Sequence, residues 1–129
     1  MSPKVIISFA LLLLLSIIGV SIYNVRALDL SSKKMETHIS LIESGISAGD
    51  WNKAEDGMKG ITKSWEETRK TWSMVTDHLE IDNIDNTLSR MKMFVTAKDS
   101  SLALAEAASL KQYIKHIPEK ESLNLRNLF

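Results

Sequence analysis

Residues 51–79 read WNKAEDGMKGITKSWEETRKTWSMVTDHL, and the spacing of their apolar members decides the fold class. Trp51, Ala54, Met58, Ile61, Trp65, Thr68, Trp72, Val75 and Leu79 alternate steps of three and four, the period that lays a stripe along one side of an α-helix. Gly49 and Asp50 stand just before it, a glycine suited to a left-handed C-terminal cap and an acid suited to an N-cap. One helix therefore ends near Ala48-Gly49 and another begins at Trp51.

Downstream, the next expected stripe positions, Asp82 and Asn86, are polar, and the apolar spacing restarts in a new phase at Ile81, Ile84, Leu88, Met91 and Val95. The phase change predicts a turn near Asp77 to Glu80, although no glycine or proline marks it. A single helix from Trp51 to Ala97 would leave the two stripes facing different ways. A further helix opens near Asp99 or Ser100 and carries Ala103, Ala107, Leu110, Ile114 and Ile117. It is expected to stop at Pro118, which lacks an N–H and whose ring clashes with the preceding turn. The last eleven residues then form a tail in which the helical pattern resumes from Ser122. Upstream, Leu28, Met35, Ile39, Ile42 and Ile46 line one side of the first helix of the set.

Sliding the chain by 49 residues lays Leu30, Met35, Ile39, Ile42 and Ile46 over Leu79, Ile84, Leu88, Met91 and Val95. The same offset lays Ala48, Asp50, Ala54, Met58, Ile61 and Trp65 over Ala97, Asp99, Ala103, Ala107, Leu110 and Ile114. Core positions match core positions while surface residues do not, so a shared helical period accounts for part of the match and duplication for the rest only as a hypothesis. Two αα-hairpins packed stripe to stripe make an antiparallel four-helix bundle. Two tetratricopeptide-like repeats, suggested by Gly49-Asp50-Trp51 and Ala54, are the alternative, but two alone bury little core.

Ahead of the bundle, Val5 to Tyr23 reads VIISFALLLLLSIIGVSIY, 19 residues without a charge. As a helix this spans roughly 28 Å, the thickness of a bilayer's hydrocarbon core. A cleaved signal peptide is the rival, with Lys4 as its basic start and Val25-Arg26-Ala27 as its cleavage region, but such apolar cores usually run about 7–15 residues. The expected organisation is a membrane anchor over 1–27, its helix at about 5–23, and a bundle domain over 28–129. Lys4 on one side and Arg26, Lys33 and Lys34 on the other nearly balance under the positive-inside rule. The short segment before the apolar run favours a signal-anchor layout, with the C-terminal domain extracytoplasmic.

Lysine plus arginine equals aspartate plus glutamate at 16 each, so no basic excess favours nucleic acid. The chain has no cysteine, which removes disulfides, thiolate-bound zinc, a thiol nucleophile and a lipoprotein site. With 5 glycines and 2 prolines in 129 residues, its elements are few and long.

No constellation suggests catalysis or a bound cofactor. Trp51, Trp65 and Trp72 share one seam and read as core, since aromatic side chains dominate core burial; a ligand-binding wall would need an open cavity beside them. Gly57 and Gly60 either admit a close helix contact or merely weaken the helix. His38, His78 and His116 fall in different elements, with no Glu-x-x-His pair for a di-iron site. His78 and Asp82 are the candidate pair for a divalent cation, with Asp77, Glu80 and Asp85 nearby. The plainer account of these acids is stabilisation by a helix N-terminus. Lys63, Glu66, Glu67, Arg69 and Lys70 read as a solvated face.

Trp65 and Trp72 a heptad apart, the run His78-Leu79-Glu80-Ile81-Asp82-Asn83-Ile84 and the terminal Asn127-Leu128-Phe129 give the chain its family likeness. It resembles small single-span membrane proteins of clostridia and bacilli grouped as a domain of unknown function. The resemblance covers nearly the whole chain, with Leu128 where isoleucine is expected, and implies an anchored companion of other membrane proteins without an assigned reaction.

These readings lead to a non-enzymatic, membrane-anchored interaction or accessory protein of the cell envelope. Its partners are the bilayer and another membrane or envelope protein, or itself. Leu123, Leu125, Leu128 and Phe129 either cover the end of the bundle or dock on that partner, covering being preferred. A sensory ectodomain, admitting a small molecule or cation near Trp65 or His78, is the alternative.

Overall fold

Between Val20 and Gly45 the chain holds neither glycine nor proline, so nothing interrupts a helical hydrogen-bond ladder once begun. In the computed structural model, which describes residues 1–128, that ladder runs as a single helix, α1 (Pro3–Ser47). Ser2 caps it, accepting from the Val5 N–H, with Pro3 in the first turn, where its missing N–H costs nothing. The anchor expected at 1–27 and the bundle helix expected from 28 are therefore one helix. Hydropathy changes at Asn24, but the backbone has no reason to break there.

Three more helices follow: α2 (Trp51–Ser73), α3 (His78–Thr96) and α4 (Ser100–Leu128). The described residues are all-α. α1 lies against α2 and α4, and α3 against α4 and, over fewer residues, α2, so the four helices form a ring around one core. The stripes supply that core: Met35, Ile39 and Ile42 from α1, Ile61 and Trp72 from α2, Ile84 and Met91 from α3, and Leu110 and Ile114 from α4 are all fully buried.

The turn between α2 and α3 comes slightly earlier than the phase change predicts. It spans residues 74–77, and Asp77 ends it by accepting from the Glu80 N–H at 3.0 Å as the N-cap of α3. Leu79, placed by its spacing on the stripe of α2, is instead in the first turn of α3 and 70% exposed.

α1 and α2 approach most closely where side chains are missing. A Cβ on Gly45 would stand 2.6 Å from the Ala54 nitrogen and 2.8 Å from the Asp50 oxygen, and one on Gly57 would stand 2.6 Å from Ile42 Cγ1 and 3.1 Å from the Ile42 nitrogen. Gly57 thus admits a close helix contact. At Gly60 the nearest atoms belong to the side chain of His38.

The expected stop at Pro118 does not occur. α4 continues through it to Leu128. Proline at this position cannot donate to the Ile114 carbonyl, four residues back, and a buried carbonyl without a partner is costly. Ser32 of α1 supplies the donor, its hydroxyl reaching the Ile114 oxygen at 3.0 Å in a buried contact. The residue that should end the helix is accommodated by a neighbouring one.

The 49-residue offset also governs the ends of the helices. After α1, the Asp50 N–H donates to the Gly45 carbonyl and the Gly49 N–H to Ile46; after α3, Asp99 donates to Phe94 and Lys98 to Val95. Both are Schellman caps, with Gly49 at φ 70° and Lys98 at φ 56°. Asp50 and Asp99 then each cap the next helix, accepting from Lys53 and Leu102. Even the exposed members correspond, Leu30 at 69% and Leu79 at 70%.

Two tests follow, both read by tryptophan emission, since all three tryptophans lie on α2. Ser32→Ala is expected to destabilise the bundle by about 1–3 kcal/mol, and by less in a Pro118→Ala background, where the new N–H pairs with Ile114. That is a coupling of about 1 kcal/mol, and equal costs in both backgrounds would show that Ser32 acts elsewhere. Lys98→Gly is expected to stabilise by about 1 kcal/mol by relieving a left-handed conformation that glycine adopts freely; an unchanged melting temperature would refute this.

Candidate functional site

The apolar part of α1 contains an 18-residue window of mean hydropathy 2.9, none of it buried against the rest of the chain. It is long and apolar enough to cross a membrane. The hydroxyls of Ser8, Ser16 and Ser21 donate to the carbonyls of Lys4, Leu12 and Ile17, each at 2.9 Å, so these polar groups need no water.

Where this stretch gives way to the bundle, three elements converge. Ser21, Asn24 and Leu28 of α1, Val75 of the α2–α3 turn, and Leu125 and Leu128 of α4 line one small groove of about 160 Å3. This end of the bundle, its base, is the candidate site. A larger groove of about 700 Å3 runs beside it between α1 and α4, bordered by Val25, Arg26, Ser32, Pro118, Leu123 and Arg126. The expected docking residues lie here. Leu123 is 55% and Leu128 75% exposed, and Leu125 is half-buried. The tail prolongs α4 as helix, and its Leu125 and Leu128 border the small groove at the base of the bundle. Phe129 lies outside the described residues.

The turn is fastened to α4 by charge. Glu80 accepts from the Lys120 ammonium at 3.3 Å and from the Thr76 hydroxyl, and lies 3.5 Å from His116 Nε2. Lys120 also lies 3.9 Å from Asp77. Its hydrogen bond to Glu80 pushes the pKa of the Lys120 ammonium up. Two of the carboxylates considered for a cation, Asp77 and Glu80, therefore have other partners. His78 and Asp82 are both exposed on α3, and no group of three or more metal-ligating side chains is arranged around an ion among the described residues.

The tryptophans face inward. Trp65 and Trp72 pack edge to face, with ring centroids 5.7 Å apart and planes at 87°; Trp51 is half-buried at the start of α2. None of them borders these grooves. The Trp65 indole N–H donates to Asp85 at 2.7 Å, and Arg69 closes on the same carboxylate through Nε at 3.1 Å and Nη2 at 2.8 Å. The Trp72 N–H, 1% exposed as a residue, has no partner among the described residues. The heptad spacing found the seam, but the need of Trp65 for an acceptor was the missed signal that pointed to Asp85.

The Arg69 guanidinium, with a smaller contribution from the Trp65 N–H, holds the Asp85 carboxyl below the usual carboxylate range, against the opposing effect of burial. A depressed folded pKa means that this stabilisation is complete above the unfolded carboxylate value of about 4 and is lost as pH falls through the folded value. Wild type is expected to lose melting temperature more steeply than Asp85→Asn below about pH 4. Matching slopes would assign the acid sensitivity to another group.

Residues 22–128 match a family model described as Domain of unknown function (DUF4363). The match begins in the last turn of the apolar stretch and takes in the whole ring of helices. No curated protein and no solved structure matches the chain.

Proposed function

The chain belongs to the family described as Domain of unknown function (DUF4363), and on that footing we propose that it is a non-enzymatic, membrane-anchored accessory protein. In this reading, the apolar half of α1 spans the membrane once, and the rest of α1 with α2, α3 and α4 forms an extracytoplasmic interaction module of the cell envelope. The observation that carries the proposal is the uninterrupted α1. One half of it is apolar with no residue of its apolar window buried against the rest of the chain, and the other half is built into a polar-faced bundle.

The bundle is read as two αα-hairpins packed antiparallel. Rising numbers on one helix meet falling numbers on its neighbour: Ile42 with Gly57 and Lys34 with Glu67, then Glu43 with Lys111 and Glu36 with Lys115. Glu80 with Lys120 and Arg90 with Glu106 extend the pattern to α3 and α4. The partner is another membrane or envelope protein, and exposed Leu123 and Leu128 favour one that reaches the bundle close to the bilayer.

The native chain is expected to remain with membranes through an alkaline carbonate wash, whereas release would remove the anchor. Ser101→Cys introduces the only thiol on an exposed position of α4. It is expected to react with a membrane-impermeant maleimide on intact cells. Labelling only after lysis would reverse the orientation. Detergent extraction with a tagged full chain should recover a stoichiometric membrane protein, while recovery of the chain alone would replace the accessory role with self-association.

A further inference from the structure

The groove between α1 and α4 combines features that a protein partner does not require. Two arginines come to it from positions a hundred residues apart, Arg26 from α1 and Arg126 from α4. Two of the groove's three carboxylates are engaged along it, Asp29 with Lys33 at 2.9 Å and Glu36 with Lys115 at 3.5 Å; the third, Glu119, has no ion-pair partner among the described residues, and the four basic side chains of the lining, Arg26, Lys33, Lys115 and Arg126, outnumber its acids by one. Neither arginine has an ion-pair partner among the described residues. Apolar Val25 and Leu123 line the same groove.

The position of the groove selects its occupant. Arg26 is three residues past Tyr23, the last of the uncharged stretch, so it stands roughly 4.5 Å beyond it along the helix. A bilayer's headgroup layer is about 5–7 Å thick on each side of the hydrocarbon core. With α1 inserted, Arg26 is therefore level with lipid phosphates, and exposed Tyr23 sits where aromatic side chains gather at membrane interfaces. Guanidinium groups grip phosphate oxygens in pairs, and apolar walls open toward the bilayer suit the start of acyl chains.

We propose that the α1–α4 groove binds one anionic phospholipid, its headgroup phosphate held between Arg26 and Arg126 and its chains descending along α1. The inference rests on the membrane anchoring argued above. The lipid would fill the seam beside Ser32 and Pro118, so it couples the last turns of α4 to α1 and makes the base of the bundle sensitive to the charge of the leaflet.

The test uses the full chain in a nonionic detergent, with bound lipids counted by native mass spectrometry as phosphatidylglycerol or phosphatidylcholine is titrated. An interfacial arginine contributes roughly fivefold to affinity for an anionic surface. Phosphatidylglycerol is therefore expected to bind at one site roughly tenfold to thirtyfold more tightly than phosphatidylcholine. Arg26→Gln with Arg126→Gln should abolish the preference. Lys63→Gln with Lys70→Gln, the same loss of charge on exposed α2 positions, should preserve it. Equal binding of the two lipids by the native chain overturns the proposal, as does a preference that survives loss of both arginines. Glycerophosphoglycerol binding as tightly as the lipid overturns it too, by assigning the groove to a soluble phosphate ester. Release of the chain by carbonate would instead remove the anchoring, so the two failures are distinguishable.

Discussion

The backbones of α1 and α2 meet where one of the two helices has no side chain to hold them apart, Gly45 of α1 against Ala54 and Gly57 of α2 against Ile42, and the rest of the ring is arranged around those contacts. At Gly45 the neighbours of a Cβ would be backbone atoms of Asp50 and Ala54, which cannot turn aside as a side chain can. This fixes how far α2 slides along α1 and hence which stripe residues share a layer. Leu28 and Trp72 can then both be buried, and Trp65 presents its N–H to Asp85 on the next helix. α4 is set against α1 by a different device, a serine hydroxyl on a carbonyl that proline has freed.

The two halves of the chain repeat a design with one conspicuous substitution. Both first helices end in the same hydrogen-bonded cap and both second helices start on an aspartate, but the left-handed position is glycine in one half and Lys98 in the other. Agreement at caps and at exposed leucines is more than a shared helical period supplies, because a period constrains only the buried face. The correspondence is lost at the glycine seam. Gly45 and Gly57 lie opposite Phe94 and Glu106 in the repeat, in keeping with close packing of α1 on α2 that α3 and α4 need not copy.

Much of this was legible in the order of residues, and the exceptions share a cause. Steps of three and four identified nearly every buried side chain because burial follows helical phase. The end of α4 was misplaced because a local rule for proline takes no account of a donor on α1, 82 residues away from the carbonyl it serves. That α1 continues without a break past residue 27 gave no signal either, because a change in hydropathy governs the surroundings of a helix and not its continuity. Asp85 looked like a possible cation ligand because its partners, Trp65 and Arg69, belong to another helix. Arg26 and Arg126 gave no local signal at all, since only the packing of α4 on α1 brings them to one groove.

The uninterrupted α1 has a mechanical meaning. A domain tethered by a flexible linker keeps its orientation independent of the membrane, whereas a bundle built on the continuation of a spanning helix, the arrangement proposed for α1, shares that helix's axis. When the thickness of the bilayer changes, a spanning helix adjusts by tilting, and under the proposed anchoring the bundle must lean with it. The part of α1 beyond Tyr23 is a lever about 36 Å long, so a tilt of about 10° carries its far end sideways by roughly 6 Å. With α1 anchored as proposed, bilayer thickness would thereby be converted into the position of the loops at residues 48–50 and 97–99.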